Sequence, residues 1–334
     1  MRLACLFLST ALFCVIPANA QDGAVFQTDV QLVRILATVK DASGALVGSL
    51  GKSDFEVRDN GVLQQLAVFE RQTDQPLSVA VLIDNSGSTA KDLKFETESV
   101  MHFVRALLKE GNPEDAVSLY SFNWQIVKQN GFGRNPSLIE KSLRALRGEA
   151  GTSLYDAILL ASRDIEDRKG RKILVIVTDG GDTTSHADFQ RAVEAAQLAD
   201  AVIYPVLVVP IANEAGRNVG GENALTTFAL RTGGRVFAAS LGAALDQSFD
   251  QILRDLRTQY LLAFYPRDVP PGRDRFHALD VSVSLPGLQV KARNGYYGVA
   301  QASAPAAVPY SAAPGSDSVR APRPPQPKKR TSQN

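Results

Sequence analysis

The chain has 334 residues, with 36 Lys+Arg against 35 Asp+Glu, 45% hydrophobic residues, two Cys and three His. This length and apolar content suit one large domain or two smaller ones, and a formal net charge of +1 gives no reason to expect nucleic acid as a partner. Cys5 and Cys14 both fall in the first 20 residues, and His102, His186 and His277 lie far apart without ligand-like spacing, which argues against zinc fingers, haem attachment, disulfide scaffolds and thiol nucleophiles.

The N-terminus reads as a secretory signal over residues 1–20. Arg2 is a short positive region, residues 3–16 form a mostly apolar stretch, and Pro17-Ala18-Asn19-Ala20 ends in an A-x-A-like cleavage site, with Gln21 as the expected mature start. An uncleaved membrane anchor is the competing reading, disfavoured because the stretch is shorter than the roughly 20 residues of a span. Bulky Phe13 before Cys14 speaks against a lipoprotein anchor. Cleavage removes Arg2 and both cysteines and leaves 35 cationic and 35 anionic side chains. With no later run of about 18 apolar residues, the expectation is an exported product, periplasmic or secreted, without a transmembrane segment after cleavage.

Residues 21–75 show short alternating runs broken by turns. The run 30–39 is rich in β-branched residues and ends at Asp41-Ala42-Ser43-Gly44, and two further runs, 55–58 and 63–69, flank Asp59-Asn60-Gly61, where Asn-Gly is a strong hairpin signal. Three or four such strands make a thin core alone and need a partner.

At Leu77 the pattern changes. The apolar run 77–83 leads into Asp84-Asn85-Ser86-Gly87-Ser88-Thr89, after which Leu93, Val100, Phe103, Val104, Leu107 and Leu108 recur at helical spacing. Strands are then predicted at 116–122, 172–178 and 201–209, and helices at 137–146, 154–165, 187–198, 224–231 and 241–257. Apolar strands separated by amphipathic helices imply a doubly wound α/β domain with a mostly parallel sheet covered on both faces, over residues 76–257.

β character returns at 258–299, with strands at 260–265, 277–285 and 288–293 and turns at Pro270-Pro271-Gly272 and Leu285-Pro286-Gly287. These strands are expected to complete the N-terminal set, so that the α/β domain is inserted in, or flanked by, a small antiparallel β-sandwich. Two separate β modules are the alternative. Residues 300–334 are Ala/Pro/Ser-rich and end in the basic run Lys328-Lys329-Arg330, a composition expected to be disordered.

In an open α/β sheet, ligands sit beyond the carboxyl ends of the strands. One strand delivers Asp84, Ser86 and Ser88 there, another delivers Asp179 within Thr178-Asp179-Gly180, and the loop Gly151-Thr152-Ser153 opens a helix between them. Two carboxylates and three hydroxyls make an all-oxygen set suited to a hard cation such as Mg²⁺. Few direct carboxylates leave such an ion able to accept an external one.

These five residues, in order and on the predicted elements, resemble the metal-ion-dependent adhesion site (MIDAS) of von Willebrand factor type A (VWFA) domains, whose Rossmann-like fold the resemblance implies. It also implies that Ser86, Ser88 and Thr152 hold Mg²⁺ or Mn²⁺ directly or through water, that Asp84 and Asp179 act partly through water, and that a partner protein's Asp or Glu fills the open position. The flanks, with Ser53-Asp54-Phe55 before the hairpin and Tyr260-Leu261-Leu262-Ala263-Phe264-Tyr265-Pro266 after the last helix, are similar to a bacterial exported VWFA-related group. Asp156 and Asp182 are expected to support loops or caps, with a supporting role behind the metal as the other possibility, and Trp124 is expected in the core.

Enzyme readings find less support. The serine loop lacks the Gly of a nucleophile elbow, no histidine is patterned as its base, and the phosphate-loop and dinucleotide motifs are absent. The expectation is a non-catalytic exported binding protein. An envelope structural or assembly factor with a vestigial metal site, and a Mg²⁺-dependent hydrolase, are the alternatives.

Overall fold

A computed structural model describes residues 32–71, 75–89, 92–209, 218–269 and 275–298. The expected signal segment, 1–20, and the basic tail, 300–334, lie outside the described residues.

The strands buried on both faces organise the centre. β5 (Leu77–Asp84), β6 (Ala116–Phe122) and β9 (Ala201–Val208) are buried along their whole length, and β8 (Arg171–Thr178) nearly so. With β7 (Ile126–Gly133) and β10 (Phe237–Ala239) they form a six-stranded sheet in the order β10-β9-β8-β5-β6-β7. Every neighbouring pair is parallel except β6 and β7. Successive side chains of a strand point to opposite faces, so Val79, Val81 and Ile83 enter one core while Ala80 and Leu82 enter the other. The first core is closed by α1 (Leu93–Glu110), α2 (Pro136–Ala145) and α6 (Ala243–Thr258), and the second by α3 (Leu154–Ile165), α4 (Phe189–Leu198) and α5 (Val219–Thr232). This is the doubly wound α/β arrangement, mostly parallel as expected.

The flanking strands form two antiparallel sheets. β1 (Val33–Lys40), β4 (Leu66–Glu70), β11 (Tyr260–Phe264) and β13 (Gln289–Lys291) lie in the order β13-β1-β11-β4. β2 (Phe55–Asp59), β3 (Val62–Gln64), β12 (Phe276–Val283) and β14 (Gly295–Tyr297) lie in the order β14-β12-β2-β3. Strands from either side of the α/β segment thus share sheets, with Ile35 opposite Leu262 and Val57 opposite Val281. Val33, Ile35, Val57, Leu66, Leu262, Phe264 and Leu279 fill a third core between them. The Asn60-Gly61 hairpin has φ of 47° and 84°, the pair of left-handed residues that a two-residue turn of this hand requires. The run read as one strand over 63–69 is divided at Gln65, β3 pairing with β2 and β4 with β11, so the chain turns from one sheet into the other there.

Beneath the α/β segment a polar cluster ties it to these sheets. Arg171, at the start of β8, is buried and donates to the carbonyl of Leu256 and to Gln259 Oε1. Gln259, between α6 and β11, in turn donates to Tyr204 Oη at 2.9 Å and to Thr38 Oγ1 at 3.3 Å. Among the described residues no helix is long and apolar enough to cross a membrane.

Candidate functional site

Parallel pairing of β5 with β8 and with β6 puts their carboxyl ends on one edge: Ile83 lies opposite Val177, and Asp84 opposite Phe122. Asp84 is fully buried there. Its Oδ1 accepts the Ser86 N–H at 2.9 Å and its Oδ2 accepts the Thr178 hydroxyl at 2.6 Å, so the turn after β5 and the end of β8 are both fastened to one carboxylate. Thr178 Oγ1 also receives the Gly180 N–H at 3.2 Å, which shapes the backbone around Asp179.

The serine loop folds back on itself. The Thr89 hydroxyl donates to the carbonyls of Asp84 and Ser86, and the Ser86 and Ser88 hydroxyls lie 3.0 Å apart. Ser86 is buried and Ser88 exposed. Alongside, Ser86 bridges Glu149 in parallel, the Glu149 N–H donates to Asn85 O at 2.9 Å, and the Asn85 side chain donates to Arg147 O at 2.7 Å. This brings the loop carrying Thr152 to the serine loop. Thr152 is 8% exposed, and its backbone is held by the 183–184 segment through the Thr183 hydroxyl and two N–H groups.

Burial dominates the electrostatics. It pushes the Asp84 carboxyl up to about 6 against the hydrogen bonds from Thr178 and Ser86, and Asp179 adds to the rise. Asp179 is therefore near enough to repel Asp84. No Lys, Arg or His among the described residues pairs with either aspartate. The edge thus gathers hydroxyls and two acids, with no cationic side chain paired to either acid among the described residues. Among the described residues no group of three His, Cys, Asp or Glu side chains gathers as a metal centre would need, so a cation here would rest on hydroxyls as much as on acids, and the residues present fit a hard ion of that preference.

Asp156 and Asp182 hold loops. Asp182 accepts the Tyr155 N–H at 3.1 Å and the Ser185 hydroxyl. Asp156 accepts the N–H groups of His186 and Ala187, each at 2.8 Å, which with the second-core packing of α3 keeps the 182–187 segment against its first turn. Trp124, expected in the core, is 54% exposed instead, in the β6–β7 connection at the same edge, with its indole N–H donating to Glu149 Oε2 at 3.3 Å. Its ring has a polar partner at the surface and loses less by staying there than an alkyl side chain would. The remaining histidines stand apart: His102 and His186 are exposed, and His277 bonds Asp59 inside the sandwich at 2.9 Å.

Two residues at this edge were not singled out by sequence reasoning. Thr178 was read only as a strand end. Glu96 sits on α1 between Leu93 and Val100, on the buried stripe, where helical spacing calls for an apolar residue; that break in the pattern was its signal.

The chain is similar in structure to the von Willebrand factor domain of the type V pili tip protein Mfa5 from Porphyromonas gingivalis (15% identity, 54% of this chain and 94% of that one, TM-score 0.43). It is similar also to the conserved hypothetical protein BatB from Bacteroides thetaiotaomicron (19% identity, 54% and 98%, TM-score 0.42) and to the PilB minor pilin from Streptococcus sanguinis (13% identity, 56% and 62%, TM-score 0.44). No curated protein matches it in sequence. Residues 79–181, which run from β5 through the Asp179 loop, match the family model of the von Willebrand factor type A domain, and the chain is a protein carrying a domain of that family.

Proposed function

We propose that this is an exported, non-catalytic binding protein whose von Willebrand A domain holds Mg²⁺ or Mn²⁺ on Asp84, Ser86, Ser88, Thr152 and Asp179, presented on the β-sandwich. The observation that carries the reading is the fully buried Asp84 carboxylate, fastened to the serine loop and to β8, beside paired hydroxyls and a second aspartate with no balancing cation among the described residues. When bound, the ion supplies an electron-poor centre able to take a carboxylate oxygen from a partner protein's Asp or Glu. Ser86 and Ser88 bring neutral oxygens to it, and Thr178 keeps Asp84 oriented. An adhesion or assembly role follows from such a site. A binding rather than catalytic role is supported by the placement of the three histidines, none of which hydrogen-bonds Ser86, Ser88 or either aspartate.

Calorimetric titration of Mg²⁺ or Mn²⁺ into the chelator-stripped chain tests the metal. One site is expected, lost in Asp84→Ala and in Ser86→Ala with the circular dichroism spectrum retained. Equal heats in those variants would overturn the assignment. A partner recovered with Mg²⁺ and released by chelator is expected from the native envelope, and retention through chelation would refute carboxylate capture.

A further inference from the structure

Glu96 is fully buried, and neither carboxylate oxygen has a hydrogen-bond partner among the described residues. Interior carboxylates are ordinarily paired, hydrogen-bonded or bound to a cation. The charged groups Glu96 faces are Asp84 at the end of β5, Asp179 after β8 and Asp92 at the start of its own helix, all of them acids. Burial first and these charges second push its carboxyl up to about 9. Packing alone gives no reason for an acid here, since Leu93, Val100, Phe103 and Val104 on the same stripe enter the first core. What an acid does offer at this position is a carboxyl that gives up its proton and supplies negative charge once a cation offsets its burial and the neighbouring aspartates.

We propose that Glu96 is a third acidic residue of the cation site, closing its inner side from α1 and acting on the ion from beyond the directly ligating set. The placement beyond that set follows from the absence, among the described residues, of any three acids gathered at metal-holding distance. A divalent ion on Asp84 and Asp179 turns the surroundings of Glu96 from repulsive to attractive, so the group strengthens the ion's hold while working against the fold without it. The inference rests on the metal reading above and adds a residue to it.

The test uses the full chain and two variants, Glu96→Gln and Glu96→Leu, with Mg²⁺ or Mn²⁺ alone as the probe. In Glu96→Gln the titrated affinity should fall about 10- to 100-fold, as for residues that support a metal without ligating it. The thermal midpoint in chelator should stay level or rise, and the rise in midpoint on adding Mg²⁺ should shrink. Glu96→Leu restores the apolar stripe and should be at least as stable in chelator while losing affinity likewise. Wild-type affinity in both variants would overturn the proposal, as would a midpoint in chelator that falls in both, since that marks a structural role. If the unaltered protein and Asp84→Ala titrate alike, the metal reading fails and this inference with it. If Asp84→Ala loses binding while Glu96→Gln keeps it, only the inference fails.

Discussion

Thr178→Val removes one hydroxyl from the site and leaves the shape of the side chain. Thr178 is fully buried; its hydroxyl donates to Asp84 Oδ2 at 2.6 Å and accepts the Gly180 N–H at 3.2 Å. A hydrogen bond to a charged group contributes about 1.5–3 kcal/mol, and a buried N–H left without an acceptor costs about 1 kcal/mol more. The added methyl offsets at most about 0.8 kcal/mol, so the variant should be about 2–3 kcal/mol less stable at neutral pH. The pH dependence carries the sharper signature. Asp84 has its folded pKa raised to about 6 from 3.8, chiefly by burial, with the Thr178 hydrogen bond foremost among the opposing effects. A raised carboxyl pKa means the native state keeps its proton longer than the unfolded chain, so this group erodes stability as pH climbs from the unfolded value toward the folded one. Without Thr178 the folded value moves higher, and the deficit of the variant should open as pH rises through about 6 and narrow below it. Urea unfolding of both proteins in chelator, at about pH 5 and about pH 8, measures this. A deficit within about 0.5 kcal/mol of zero, or one that does not grow with pH, would refute the claim that Asp84 is a buried anion held by Thr178.

Gln259→Leu should cost about 3 kcal/mol in urea unfolding, because Arg171 and Tyr204 lose a buried partner at once; a loss under about 1 kcal/mol would show that the cluster adds nothing beyond packing. Gly170→Ala should cost about 1–3 kcal/mol, since Gly170 has φ of 78° and a Cβ there would lie 2.1 Å from the Pro76 carbonyl; unchanged stability would place the turn into β8 elsewhere. Trp124 is the chain's single tryptophan and is 54% exposed, so native fluorescence should be readily quenched by iodide and shift little on unfolding. A shielded native emission would return the ring to the core.

The parts of this molecule that could be read from sequence are those whose physics is written contiguously. β5, β8 and β9 are buried on both faces, so their apolar runs are unbroken and their boundaries fall within a residue or two of the expected ones. Asp84, Ser86 and Ser88 follow one of those runs directly, and a strand running straight into small polar residues is visible without any knowledge of what packs nearby. β7, β10 and β14 left no such trace: β7 is half-exposed at the sheet edge and contains Asn130 and Gly131, while the other two are three residues long. The start of α5 was misplaced for a related reason. Gly220 and Gly221 lie before the expected start at 224, yet Asn218 caps the helix by accepting the Gly221 N–H at 2.9 Å. A Cβ on Gly221 would lie 2.5 Å from the Gly181 Cα, so the glycine that lowers helix propensity is what lets α5 approach the loop following Asp179.

Glu96 shows the same limit inside the site. The spacing of Leu93, Val100 and Phe103 establishes the buried stripe of α1, and an acid falling on it at position 96 is visible in the sequence as a break in the pattern. A break of that kind has two readings, a slightly rotated helix that exposes the acid or a buried acid with a purpose, and periodicity cannot separate them. The choice depends on where β5 and β8 end relative to α1, and β8 begins about 60 residues after α1 ends. With 0% exposure and two oxygens unpartnered among the described residues, the rotated helix is excluded. What remains is a buried acid facing the two aspartates the sequence already pointed to, and the shortage of positive charge that all three share among the described residues is the strongest physical argument for a cation at this edge.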